Sequence, residues 1–223
     1  MAVNREAYGM LRKELGEDVQ VVAVSKTKPV EDIRELYDLG QRDFGENYVQ
    51  ELLEKAPLLP LDIRWHFIGH LQSNKVKYIV PFVHMIHGVD SEKLLKEIDK
   101  QAARDGRVID CLLQIHIARE DTKFGLDAAE LDAIVTAPSL LSELRHVRIM
   151  GLMGMASLSE DLEKVRHEFA SLKQLFDQYF PLPGVGERPL LSMGMSGDYQ
   201  MAIAEGSNMV RIGSLLFGNR NYM

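Results

Sequence analysis

A single TIM-type (β/α)8 barrel, an α/β fold spanning residues 1–223 as one domain, is the fold class this sequence predicts. Three observations predict it. About eight apolar runs of strand length recur along the chain, with helical patterns between most of them. The runs are continuous rather than alternating, which marks strands covered on both faces and therefore a parallel sheet. Finally, 223 residues that are 46% hydrophobic suffice for one sizeable core, and eight β/α units in that length make a compact barrel. A doubly wound open sheet is the alternative, because a strand count alone does not close a barrel.

The elements follow in order. The N-terminal "MAVNREAYGMLRKELG" has helical spacing. "VQVVAVS" (19–25) reads as a buried strand and "EDIRELYDLG" (31–40) as a helix stopped by Gly40. "RDFGEN" (42–47) is a short strand, "YVQELLEKA" a short helix, "IRWHFIG" (63–69) a strand, and "LQSNKVKYIV" a helix ended by Pro81. "VHMIHGVD" (83–90) leads into a helix that Ser91 caps and Gly106 follows. "VIDCLLQIHI" (108–117) is a strand, "DAAELDAIVTA" (127–137) a helix, and "VRIMGLMGM" (147–155) a strand before the longest helix, roughly 159–179. "LLSMGMS" (190–196), a short helix "DYQMAIAEG" and a last strand "MVRIGSLLFG" (209–218) complete the series. The most loop-like stretch, "PLPGVGERP" (181–189), is read as a connection rather than a domain boundary.

Composition narrows the function. A formal net charge of -7 argues against nucleic-acid binding while allowing a local basic pocket for a small anion. Cys111 is the only cysteine, so no disulfide forms within the chain, and a reducing cytoplasm is the natural setting. The N-terminus lacks the apolar core of a signal peptide, and no apolar stretch approaches the roughly 20 residues that span a bilayer.

In a parallel barrel, chemistry gathers where strands end and βα loops begin. The candidates are therefore Lys26, Asn47, Gly69 with His70, Ser192, and Arg211 with Gly213 and Ser214. Lys26 reads either as a solvated lysine closing its strand or as an amine held at the mouth of an apolar barrel. In the second case desolvation favours the neutral, nucleophilic form that condenses with an aldehyde. Gly213 and Ser214 after a strand offer N–H groups and a hydroxyl at close approach, as a phosphate requires. "SMGMSGD" and "RIGS" occupy the loops after the last two strands, where barrels often bind phosphate. Ser192 reads equally as a polar strand-end residue, and Ser196 or Asp198 as the cap of the next helix. His66 and His70 lack a glutamate in zinc-site spacing and straddle a strand and a helix, so no metal is expected; His84 and His87 read as packed or capping residues. An aldehyde-seeking lysine and a phosphate cradle in one barrel have an obvious common ligand in pyridoxal 5′-phosphate (PLP).

The blocks "AVSKTKP", "DFGENYVQE", "WHFIGHLQSNK", "LSMGMSGDY" and "MVRIGSLLFG", in order from about residue 19 to about 220, closely resemble the signature of the YggS/PROSC family of PLP homeostasis (PLP-binding) proteins. The resemblance implies a barrel like the N-terminal domain of alanine racemase, without its second β-rich domain. It implies that Lys26 anchors PLP, that Asn47 lies beside it, that Ser192, Gly213 and Ser214 bind its phosphate, and that Arg211 faces the pyridine nitrogen. His116 stands where the family more usually has asparagine, which leaves it outside the site. An arginine stays protonated and can only donate to the ring nitrogen, so the bound cofactor would stabilise carbanions weakly. In the two-domain relatives the second domain supplies a catalytic acid/base; here only Lys26 is named for that role.

The leading expectation is thus a PLP carrier and regulator with little or no turnover, cytoplasmic and monomeric, with PLP-dependent apo-enzymes as possible recipients. A PLP-dependent racemase or decarboxylase is the alternative, and a Schiff-base aldolase without PLP stands behind both. Lys28 and Lys123 are read as solvated loop lysines.

Overall fold

Odd and even positions along each strand meet different surroundings, and this alternation builds the molecule. Val21 and Ala23 of β1 (Gln20–Val24) join the large apolar cluster shared with the helices, whereas Val22 joins a smaller one with Met85, Leu112, Met153 and Met209. The large cluster fills the space between strands and helices; the small one fills the barrel. The computed structural model describes residues 3–118, 124–180 and 188–218.

After α1 (Arg5–Leu15), β1 is followed by α2 (Val30–Asp38), β2 (Asp43–Glu46), α3 (Val49–Lys55), β3 (Arg64–Phe67) and α4 (Val76–Ile79). Then come β4 (Met85–Val89), α5 (Glu92–Arg104), β5 (Ile109–Ile115), α6 (Ala128–Val135), α7 (Pro138–Glu143) and β6 (Val147–Gly154). The chain finishes with α8 (Leu162–Tyr179), β7 (Leu190–Met195), α9 (Tyr199–Ala204), β8 (Met209–Ile212) and α10 (Ser214–Phe217). All eight strands are parallel, each pairs with its sequence neighbour, and β1 pairs with β8, placing Val22 opposite Arg211, so the sheet closes on itself. The open-sheet alternative is thereby excluded.

Local chemistry sets the boundaries. Ser91 caps α5 by accepting from the Leu94 N–H, and Asp127 with Glu130 forms a reciprocal capping box on α6. Two expectations change. The helix expected over "LQSNKVKYIV" shrinks to a 3-10 turn (Ser73–Lys75) and α4, because Gln72 is still extended and delays the first helical turn. The last expected strand stops at Ile212: Gly213 turns the chain, and Ser214–Phe217 wind into α10. The connection at 181–189 lies, except for its last two residues, outside the described residues. Among the described residues no helix is long and apolar enough to cross a membrane.

Candidate functional site

A cavity of about 450 Å³ opens at the end of the barrel where the strands terminate. Val24 and Ile68, inward-facing by the strand alternation, and Met155 form an apolar part of its wall. Of the residues the sequence nominates, Lys26, Asn47, Gly69, His70, Arg211, Gly213 and Ser214 line it. They arrive from the ends of β1, β2, β3 and β8, so barrel closure is what brings residues 26 and 214 into one chamber.

Lys26 is half-buried on a turn two residues beyond β1. Asn47 follows β2 directly, and its Oδ1 is buried without a hydrogen-bond partner. Arg211 points inward from β8 and is 4% exposed. Its Nη1 donates to the Ser192 carbonyl (2.8 Å) and hydroxyl (2.6 Å), and its Nη2 to the Gly154 carbonyl (2.9 Å). Three of the five guanidinium N–H donors are thereby used, leaving the Nε–H and one Nη2–H. Burial pushes the Arg211 pKa down to about 10, with Asp198 opposing, so the group is cationic at neutral pH.

Ser192 is not brought to the cavity wall. It is fully buried one layer below, facing inward on β7, where its hydroxyl and carbonyl hold Arg211. The serine of that block that does line the cavity is Ser196, whose Oγ accepts from the Gly213 N–H (3.1 Å) and the Leu215 N–H (3.3 Å). It does not cap α9, and Asp198 instead accepts from the Met195 N–H at 2.6 Å. Two N–H groups converge here because the chain turns at Gly213 into α10, which is the same break that shortens the last expected strand.

Other wall residues had no sequence signal. Gln114 points inward from β5 and donates to the Phe124 carbonyl at 2.8 Å. Phe124 stacks on His70 with ring centroids 3.9 Å apart, and His70 Nδ1 lies 3.1 Å from Asp90. The Lys28 Nζ donates to the carbonyls of Phe217 (2.7 Å) and Gly218 (3.3 Å), tying the β1 loop to the end of α10. It is therefore more than a solvated lysine. Lys123 lies outside the described residues, and His116 is half-buried and absent from the cavity wall.

Beneath the floor, a polar column runs through the barrel. His87 Nε2 lies 2.9 Å from His66 Nδ1, and His66 Nε2 lies 2.9 Å from Asp43, which also takes a bidentate pair from Arg64 (2.7 and 2.5 Å). Burial alone would raise the Asp43 carboxyl, but the bonds from Arg64 and His66 hold it well below the usual range. His66 and His70 are separated by these roles, one inside the barrel and one on its rim. Among the described residues no three His, Cys, Asp or Glu side chains are grouped to hold a metal ion.

Comparison with known proteins follows this geometry closely. Residues 5–221 match the family model described as alanine racemase, N-terminal domain. A pyridoxal phosphate homeostasis protein of Aquifex aeolicus (strain VF5) is 43% identical over 204 residues, which cover 91% of this chain and 88% of the relative. That of Homo sapiens is 40% identical over 216 residues, covering 91% and 77% respectively. The structure of PipY from Synechococcus elongatus PCC7942 with PLP bound matches at a TM-score of 0.86 and 39% identity, covering 96% of this chain and 99% of PipY. Alanine racemase from Bartonella henselae shares the fold at a TM-score of 0.73 and 16% identity, and this chain covers 56% of it. With nine-tenths of its length aligned to such relatives and the same closed barrel, the chain belongs to the pyridoxal phosphate homeostasis proteins, a family built on the alanine racemase N-terminal domain.

Proposed function

We propose that this chain binds PLP through a Schiff base on Lys26 and serves intracellular PLP homeostasis as a carrier and regulator, with little or no turnover. One observation carries the reading: a lysine, a buried guanidinium with unused donors, and the turn at Gly213 and Ser214 face one cavity. The relatives bear the name of PLP homeostasis, and PipY was solved with PLP bound.

The residues present fit the cofactor. Asn47 Oδ1 is a buried acceptor with no partner. Ser196 and Ser214 provide hydroxyls suited to a phosphate, beside the close backbone turn at Gly213. When bound, PLP offers an aldehyde to a primary amine and a ring nitrogen that accepts a hydrogen bond. Lys26 supplies the amine. Arg211 supplies the hydrogen bond, and because guanidinium keeps its own proton at neutral pH it leaves the ring nitrogen unprotonated. A racemase would need a second acid/base on the opposite face of the substrate carbon. The remaining titratable side chains on the wall are otherwise engaged: Lys28 with two carbonyls and His70 with Asp90. Binding without chemistry is what this set of groups supports.

Delivery to PLP-dependent apo-enzymes, a cytoplasmic setting and a monomeric state complete the proposal. The test is borohydride reduction of the protein incubated with PLP, followed by peptide mass mapping. A pyridoxyl group confined to the peptide holding Lys26 is expected. An unmodified Lys26, or label scattered over surface lysines, overturns the assignment.

A further inference from the structure

Lys26 occupies the second position of a tight turn. The Lys28 N–H donates to the Ser25 carbonyl at 3.0 Å, so Ser25 to Lys28 form a β-turn. Thr27, at the third position, has φ 63°, the one positive φ at a non-glycine among the described residues. This is the pattern of a type II turn, which favours glycine there; a threonine prefers the type I turn, reached by flipping the peptide between Lys26 and Thr27. Something must therefore hold that peptide in the orientation its own residue disfavours.

The structure shows what does. The Thr27 N–H, which belongs to the flipped peptide, donates to Glu51 Oε2 at 2.8 Å. Glu51 stands on α3, as does Lys55, whose Nζ is 2.7 Å from the same Oε2. Lys55 also donates to the Ser25 carbonyl (2.9 Å) and to Glu46 Oε1 (2.8 Å), and the Ser25 hydroxyl donates to that Glu46 oxygen at 2.7 Å. Glu46 is wholly buried and faces outward from β2, behind the turn. Both neighbours of Lys26 are thus fastened to one network of three charged side chains outside the cavity. Burial alone would raise the Glu51 carboxyl, yet the bonds from Lys55 and from Thr27 hold it below its ordinary range, keeping it an ionised acceptor.

We propose that Glu51, backed by Lys55 and Glu46, is a positioning residue: it latches the Lys26–Thr27 peptide in the type II orientation and so sets the aim of the Lys26 amine into the cavity. The inference rests on Lys26 being the anchor for the aldehyde. Neither Glu51 nor Lys55 lines the cavity, so the latch acts only through the turn.

The experiment compares the full-length apo-protein with Glu51→Ala, Glu51→Gln, Thr27→Gly and the double variant Glu51→Ala/Thr27→Gly. Two quantities are read: the rate of PLP capture at Lys26, trapped by borohydride and mapped by mass, and hydrogen exchange at the Thr27 amide. Loss of one charge-assisted bond to the turn predicts capture about tenfold slower in Glu51→Ala, with Thr27 exchange about tenfold faster. Glu51→Gln, which keeps an acceptor oxygen, falls between. Adding Thr27→Gly to Glu51→Ala restores capture to within about threefold of wild type, because glycine adopts the positive φ unaided. A general loosening of the loop predicts the reverse, since glycine would loosen it further. Capture by Glu51→Ala within twofold of wild type, or a loss that Thr27→Gly does not relieve, overturns the latch. If wild-type Lys26 takes no label at all, the anchor reading fails instead, and the Thr27 exchange still tests the latch on its own.

Discussion

Acidification from pH 7.5 to pH 5 is expected to weaken the fold by about 3 kcal/mol, and two histidines carry the effect. His87 is completely buried inside the barrel, and burial, followed by the charges of His66, Arg211 and His84, holds its pKa well below 6.5, with Asp43 opposing. His84 is pushed down to about 4, first by burial and then by His66 and Arg64, against Asp43 and Asp110. The sign follows directly. Between pH 6.5 and about 4 the unfolded chain binds protons that the folded chain refuses, so stability is full above 6.5 and is lost as the pH falls. Near pH 5.5 a histidine that the fold keeps neutral contributes a slope of about 1 kcal/mol per pH unit, or about 2 kcal/mol accumulated by pH 5. His84 is partly exposed and solvent screens its share, which brings the pair to about 3 kcal/mol. Glu46 works the other way: burial raises its carboxyl above the ordinary 4.5 despite Lys55 and Ser25, so its protonation in the fold offsets part of the loss as the pH falls. Asp43, held low, adds its own loss only below about its ordinary 3.8. Urea unfolding at constant ionic strength at pH 7.5, 6.5, 5.5 and 5.0 measures the slope, and His84→Gln should remove its portion. A loss of 3 kcal/mol is a large part of a typical 5–15 kcal/mol stability. A urea midpoint that is flat or rising from pH 6.5 to 5 refutes the reasoning.

Two further outcomes follow from the same geometry. Gly154→Ala would bring a methyl within 2.6 Å of Leu172 Cδ2 and 3.0 Å of Ile117 Cδ1; both are flexible ends, so a cost of about 1–2 kcal/mol in urea unfolding is expected. In deuterium oxide the PLP-loaded protein should exchange no α-proton of common amino acids, read by proton NMR; exchange abolished by Lys26→Ala would instead establish the racemase-type alternative.

The strands were legible because a barrel buries both faces of each one, so apolar runs such as Val21–Val24 stand out without any periodicity having to be resolved. The places of the lysine at a strand end and the glycine after the last strand were legible for a related reason: polar or small residues mark where such runs stop, and both positions line the cavity. What remained hidden depends on direction. Ser192 and Ser196 are four residues apart in one block, and nothing in the sequence says that the first points down into the barrel beneath Arg211 while the second reaches the N–H groups of Gly213 and Leu215. The extent of "MVRIGSLLFG" misled for the same reason, since an apolar helix of one turn and a strand end look alike over four residues. The Glu46–Lys55–Glu51 network was hidden because its members read singly as surface charges of a short helix and its flanks.

Arg211 shows how stability is exchanged for a binding site. Part of the lower barrel interior is apolar, made of Val22, Met85, Leu112, Met153 and Met209 beside the His66–Asp43 column, and such packing is what burial alone would favour throughout. Above it the layer turns polar with His87, Gln114, Ser192 and Arg211. A buried guanidinium is costly unless compensated, and a carboxylate partner would compensate it best. The partners here are two carbonyls and a hydroxyl, all neutral, which satisfy donors without cancelling the charge. The positive field at the cavity floor is therefore left for a ligand with an electron-rich atom. Replacing this layer with aliphatic residues would strengthen the barrel and remove the feature that distinguishes its mouth from any other packed barrel end.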